Sequence, residues 1–84
     1  MDAAYSGIIN VANTGTLEEI VNTSYSPNII TIKPQSGNTL TISGTSSSIR
    51  FASGIVNQPL DGSNGGFATL RKGSQWVVTE LFAG

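Results

Sequence analysis

The chain contains no cysteine and no histidine. Disulfide staples and thiolate or imidazole metal sites are therefore excluded, as are nucleophile–base pairs built on either residue. No side chain that remains titrates near neutral pH without a large perturbation, so ordinary acid–base catalysis is hard to assemble and no enzyme is expected. Charge is scarce as well: four Lys and Arg stand against five Asp and Glu in 84 residues, a net charge of −1. That is far from the basic footprint that nucleic-acid binding requires. No apolar run approaches the roughly 20 residues of a membrane-spanning helix. The N-terminus MDAAYSGIIN lacks the positive and then apolar order of a secretory signal. Neither nucleic acid nor membrane is expected as a partner, and no cofactor is implied.

What the chain does have is Gly, Ser, Thr and Asn, which together make 37 of its 84 residues. Gly, Ser and Asn are weak helix formers and Thr suits a pleated, half-buried surface, so the composition predicts an all-β fold rich in turns. One domain fills this length. A core of this size supplies only about 3 to 5 kcal/mol, and small proteins usually add a disulfide, a metal or a second subunit. With the first two excluded, oligomerisation or docking is the expected device.

Along the chain, Tyr5 to Val11 is short and mostly apolar, with Ile8, Ile9 and Val11 behind Ser6-Gly7. It reads as an N-terminal arm or edge strand over residues 1–14, ahead of a β-rich domain over 15–84. Thr16 and Glu19 have the spacing of a capping box, and Leu17, Ile20 and Val21 fall at i, i+3 and i+4. One short helix is predicted over 17–22. From Pro27 onward the pattern has period two. Ile30 and Ile32 predict a strand, Pro34 to Asn38 a turn, Leu40 and Ile42 the return strand with hydroxyl residues on its other face, and Ile49 with Phe51 a further strand. Gly54 to Gly66 holds Pro59 and the run DGSNGG, which predicts an exposed loop. Phe67–Arg71 and Trp76–Phe82 predict a closing hairpin, with Gly73-Ser74 suited to a two-residue type II′ turn. The sum is a small antiparallel sandwich or barrel-like module of five or six short strands.

Candidate chemistry is thin. Glu18, Glu19 and Glu80 are scattered, and no serine has a histidine base or a nucleophile elbow. DGSNGG offers oxygens but lacks the acidic ligands and spacing of an EF-hand, and it lacks the Gly-Lys-Ser/Thr ending of a phosphate loop. Asn22-Thr23-Ser24 matches a glycosylation sequon, which matters only on a secretory route that nothing else supports. The residues that point to a partner are apolar or cationic. Tyr5, Ile8, Ile9 and Val11 either complete the chain's own sheet or add to a partner's edge. Arg71 and Lys72 either keep a hairpin soluble or meet an acidic neighbour. Trp76 is either core or a ligand platform, and Phe82 is placed to seal a seam between subunits.

Taken as an ordered set, NIITIKPQSGNTLTISGTSSSIRFASG and GGFATLRKGSQWVVTE resemble the β-rich virion modules of tailed bacteriophages, as in tail fibres and capsid decoration proteins. The resemblance spans roughly residues 28 to 80. It implies a virion structural protein made in the cytoplasm of a bacterial host. It also implies a homotrimer with a shared core, since such modules are often trimers, and the major capsid protein as partner. A tail-fibre subunit is normally a far longer chain, so 84 residues beginning with Met favour a capsid decoration, or cement, protein on the capsid surface. The alternative is a tail-fibre or tailspike-type module that binds a receptor or glycan, with Trp76, Tyr5 or Tyr25 as the sugar platform. A third, weaker reading is a piece of a bacterial adhesin or surface-layer protein. A buried indole favours the first of these readings and exposed aromatics the second.

Overall fold

A computed structural model describes residues 7–21, 27–45 and 48–84. The fold is all-β. Among the described residues eight strands follow in order: β1 (Ile8–Val11), β2 (Gly15–Leu17), β3 (Ile29–Pro34), β4 (Thr39–Ser43), β5 (Ile49–Phe51), β6 (Asn57–Asp61), β7 (Phe67–Lys72) and β8 (Trp76–Phe82). They form a five-stranded sheet in the order β1-β3-β7-β8-β5 and a three-stranded sheet in the order β2-β4-β6. Alternation decides which side chains go inward. Ile30 and Ile32 of β3, Leu70 of β7 and Trp76 of β8 meet Leu40 and Ile42 of β4 and Leu60 of β6 in one core.

Half of the strand pairings are parallel, where an antiparallel module was expected. β1 runs parallel to β3, β2 to β4, and β5 to β8. The cause lies in Gln35 to Asn38. The expected turn forms, with the Asn38 N–H donating to the Gln35 carbonyl at 3.0 Å and Gly37 at φ 88°. That positive φ is what the third position of a type II turn needs and what glycine gives without strain. The turn does not close a hairpin, however, because it carries the chain from the large sheet to the small one. Ile30 and Ile32 thus face Leu40 and Ile42 across the core instead of lying beside them. The corner from β1 to β2 makes the same move, and the two corners stack. Thr14 Oγ1 donates to Asn38 Oδ1 at 3.3 Å and accepts the Thr39 N–H at 3.1 Å.

Three further expectations are corrected. The helix predicted over 17–22 is not formed: Leu17 ends β2, and Glu18 to Ile20 have no regular structure, while Asn22 lies outside the described residues. A two-turn helix has little stability of its own. The extended path buries Leu17 and Ile20 together in the core, while β4 takes the ladder bonds. Ser48 Oγ accepts the Ile20 N–H at 3.1 Å and donates to the Ile20 carbonyl at 3.4 Å, which stands in for the missing helical bonds. The expected loop over 54–66 contains β6, antiparallel to β4, with Leu60 fully buried. Pro59 is tolerated because β6 is an edge strand, where a missing N–H breaks no ladder. Finally, the β7–β8 hairpin forms, but Lys72 pairs with Trp76 and leaves a three-residue turn, Gly73–Gln75, with no positive φ at Gly73. A two-residue type II′ turn is thereby excluded.

Candidate functional site: the outer face of the large sheet

The residues of the large sheet that alternate away from the core form rows across it. Arg50 on β5 lies beside Val77 on β8, Val77 beside Arg71 on β7, and Arg71 beside Ile29 on β3. Two guanidinium side chains are thus set two strands apart, about 10 Å, on a valine between them. In the next row Ile8 lies beside Thr31, Thr31 beside Thr69, and Thr69 beside Glu80, with the two threonine hydroxyls 3.2 Å apart. Beyond these, Phe67 and Phe82 stack obliquely with ring centroids 6.1 Å apart, and Lys33 lies beside Asn10. Large apolar side chains stay in water here: Ile8 is 57% exposed, Phe82 51% and Ile29 46%.

The two outer faces differ in kind. Three of the protein's four cationic side chains, Lys33, Arg50 and Arg71, lie on the five-stranded face, with Glu80 as its acid. The three-stranded face carries Thr16 on β2, Thr39 and Thr41 on β4, and Asn57, Pro59 and Asp61 on β6, with no cation among these strands. Its threonine rows are the hydroxyl face that the period-two pattern predicts. A surface of apolar groups threaded by guanidinium groups fits an acidic, partly apolar partner, because Arg keeps its charge while its stem and planar head pack on apolar surface.

The structure divides the residues singled out in the sequence. Ile8, Arg71 and Phe82 share the outer face of the large sheet. Ile9 and Val11 point the other way and pack, half-buried, against the core from its open edge. Lys72 is half-buried at the end of β7. Trp76 is 1% exposed and belongs to the core, so it presents no surface to a partner or a sugar. Tyr5 and Tyr25 lie outside the described residues. Sequence reading missed Ile29, Arg50, Val77 and Phe67 as members of this face. Period two marks each as outward-facing, but nothing in a linear pattern says that β5, β8, β7 and β3 are neighbours.

Elsewhere the chemistry is local. The DGSNGG run is a single 3₁₀ turn over Gly62–Asn64, and Asp61 caps it: one carboxylate oxygen accepts the Ser63 N–H at 2.9 Å and the other accepts from the Asn64 amide at 2.8 Å. The turn is docked on the β3–β4 corner, where the Gly62 N–H donates to the Asn38 carbonyl at 2.9 Å and the Gly37 N–H to Ser63 Oγ at 2.9 Å. Among the described residues, no three acidic side chains are grouped so as to hold a metal ion. Open cavities lie among the described residues. One of about 370 Å³ lies against β5 and β8, lined by Phe51, Ile55, Val78 and Leu81. Another, of about 390 Å³, opens between β1 and β2. Compared with family models, curated proteins and solved structures, the chain matches none.

Proposed function

We propose that the protein is a non-enzymatic structural module that works by docking onto a larger assembly through the outer face of its five-stranded sheet. The observation that carries this reading is the gathering of Arg50, Arg71 and Lys33 with Ile8, Ile29 and Phe82 on one face of a protein whose net charge is −1. Apolar groups of this size left in water mark interaction surfaces, and arginine is the cation most at home in a desolvated contact. The setting proposed is the one that the sequence resembles: a tailed-phage virion, with the chain as a capsid decoration protein and the major capsid protein as its partner. Burial of this face between neighbouring capsid subunits would stabilise the assembled shell by mass action. The burial of Trp76 supports docking over a glycan platform, since the indole has no exposed face on which a sugar ring can stack.

Co-sedimentation with expanded shells of the major capsid protein from the same genome tests this. The wild-type chain is expected to bind saturably and to raise the temperature at which the shell dissociates. The Arg50→Glu, Arg71→Glu double variant, folded by circular dichroism, is expected to lose binding at least tenfold. Failure of the wild-type chain to bind refutes the capsid assignment. Equal binding by the double variant refutes the face.

A further inference from the structure

Asn64 is the one asparagine of the chain that a glycine follows; the others precede Val, Thr, Ile or Gln. The difference is chemical. An asparagine side chain can be attacked at Cγ by the backbone nitrogen of the next residue, and a glycine there brings no Cβ to crowd the five-membered ring that forms. The hydrogen bonds of the capped turn engage both partners in that reaction. The Asn64 amide is turned back to Asp61, donating to Oδ2 at 2.8 Å, and the Gly65 N–H, on the nitrogen that attacks, donates to the Gly62 carbonyl at 3.3 Å. Ser63, Asn64 and Gly65 are all exposed, so water reaches the turn. The same turn is a joint of the molecule. Gly62 and Ser63 bond the β3–β4 corner through Asn38 and Gly37, and the Asp61 N–H donates to the Ala83 carbonyl at 2.7 Å just past β8.

We propose that Asn64 is a site of spontaneous deamidation that Asp61 holds in check, and that its conversion opens this joint in one direction only. The Gly65 nitrogen forms a bond to Asn64 Cγ, the Cγ–Nδ2 bond breaks, and ammonia leaves with the proton from the Gly65 N–H. Water then opens the resulting succinimide at one carbonyl or the other, giving aspartate or isoaspartate at this position. The folded turn slows the first step, because the amide and the attacking nitrogen are both engaged elsewhere; a local opening frees them together. Conversion removes the donor that faced Asp61 and sets a carboxylate in its place. Ionised carboxylates are acceptors only, and two of them side by side repel. The isoaspartate form also adds a methylene to the main chain of a turn whose Gly62 has no room to shift, since even a Cβ there would run into Gln35. The converted turn therefore does not close again on the corner, and β6 loses its anchor at Asp61, which pairs with Thr39 of β4. None of the residues of the docking face takes part, so this inference stands independently of that one.

Peptide mapping by mass spectrometry reads the reaction directly, since cleavage after Arg50 and Arg71 releases one peptide that holds both Asn57 and Asn64. The full chain is incubated in warm, mildly alkaline buffer, either folded or in urea, with Trp76 emission as the check on folding. In urea, Asn64 is expected to convert from amide to acid well ahead of every other asparagine, and the folded chain is expected to react at least about tenfold more slowly. Asp61→Ala, and Ser63→Ala, which releases the turn from Gly37, are each expected to raise the folded rate about fivefold, as loss of one such bond shifts local opening. Either variant serves if the other does not fold. Asn64→Asp is expected to lower the urea midpoint further than Asn64→Ala, which loses the same hydrogen bond without adding a charge. Equal reaction at Asn57 and Asn64, folded and unfolded chains reacting alike, loosened variants no faster than wild type, or an Asn64→Asp chain at least as stable as Asn64→Ala overturns the proposal.

Discussion

At the scale of single residues, what matters is how closely backbone and side chain approach one another. Gly62 sits against the Gln35 backbone so tightly that a Cβ would run into the Gln35 carbonyl, whereas a Cβ on Gly15 would meet nothing within 4 Å. Gly62→Ala is therefore expected to cost about 2 to 3 kcal/mol, while Gly15→Ala stays within about 0.5 kcal/mol, both read from urea unfolding. Composition shows ten glycines, but which of them is a contact is not written in it. Trp76 is the opposite case. Its burial was one of two readings open in the sequence, and the parallel partner β5, which sets Ile49 beside it, seals the indole under the core. Trp76→Ala is expected to destabilise by about 3 to 5 kcal/mol, measured by thermal melting in far-ultraviolet circular dichroism.

At the scale of elements, period two was legible in β3, β4 and β5 but not in β2 or β6. Residues 30 and 32, 40 and 42, and 49 and 51 all point inward as their spacing predicts, because alternation is a local property of an extended chain. Strand partners were not legible, since Gly37 builds the same tight turn whether the flanking strands pair or part. The capping-box spacing at Thr16 and Glu19 failed for a related reason: a local helical preference worth about 1 kcal/mol gives way to burial of Leu17 and Ile20 beside β4. Asp61 opens a run that the sequence marks as a turn, and the structure adds that this residue caps it. Its carboxylate holds its own turn, so Asp61→Ala is expected to cost about 1 kcal/mol, seen as a fall in the urea midpoint at unchanged slope.

At the scale of the molecule, the three parallel pairs join residues far apart in the chain, such as Ile8 with Thr31, Gly15 with Leu40 and Ile49 with Trp76. Loop closure has to precede each pairing, so refolding is expected on the millisecond-to-second scale, slow for so short a chain. Stopped-flow recording of Trp76 emission measures it directly, because the indole is buried only when β5 and β8 have met. A microsecond relaxation would show that the parallel stack is not what limits folding. The candidate docking face exists only at this scale as well. Arg50 and Arg71 are separated by one strand, β8, in space and by the whole of β6 and the capped turn in sequence.

The sequence alone determined the class of fold and the inward faces of β3, β4 and β5, because composition and alternation act within a few residues. It also excluded any chemistry that needs a thiol or an imidazole, since those groups are absent from the chain. The tertiary structure decided which strands are neighbours, that β1 and β2 stack parallel on β3 and β4, and that three cations share a face with exposed isoleucine and phenylalanine. Those outcomes depend on contacts between residues far apart in sequence. They are settled by which arrangement closes one common core, a condition that no local pattern expresses.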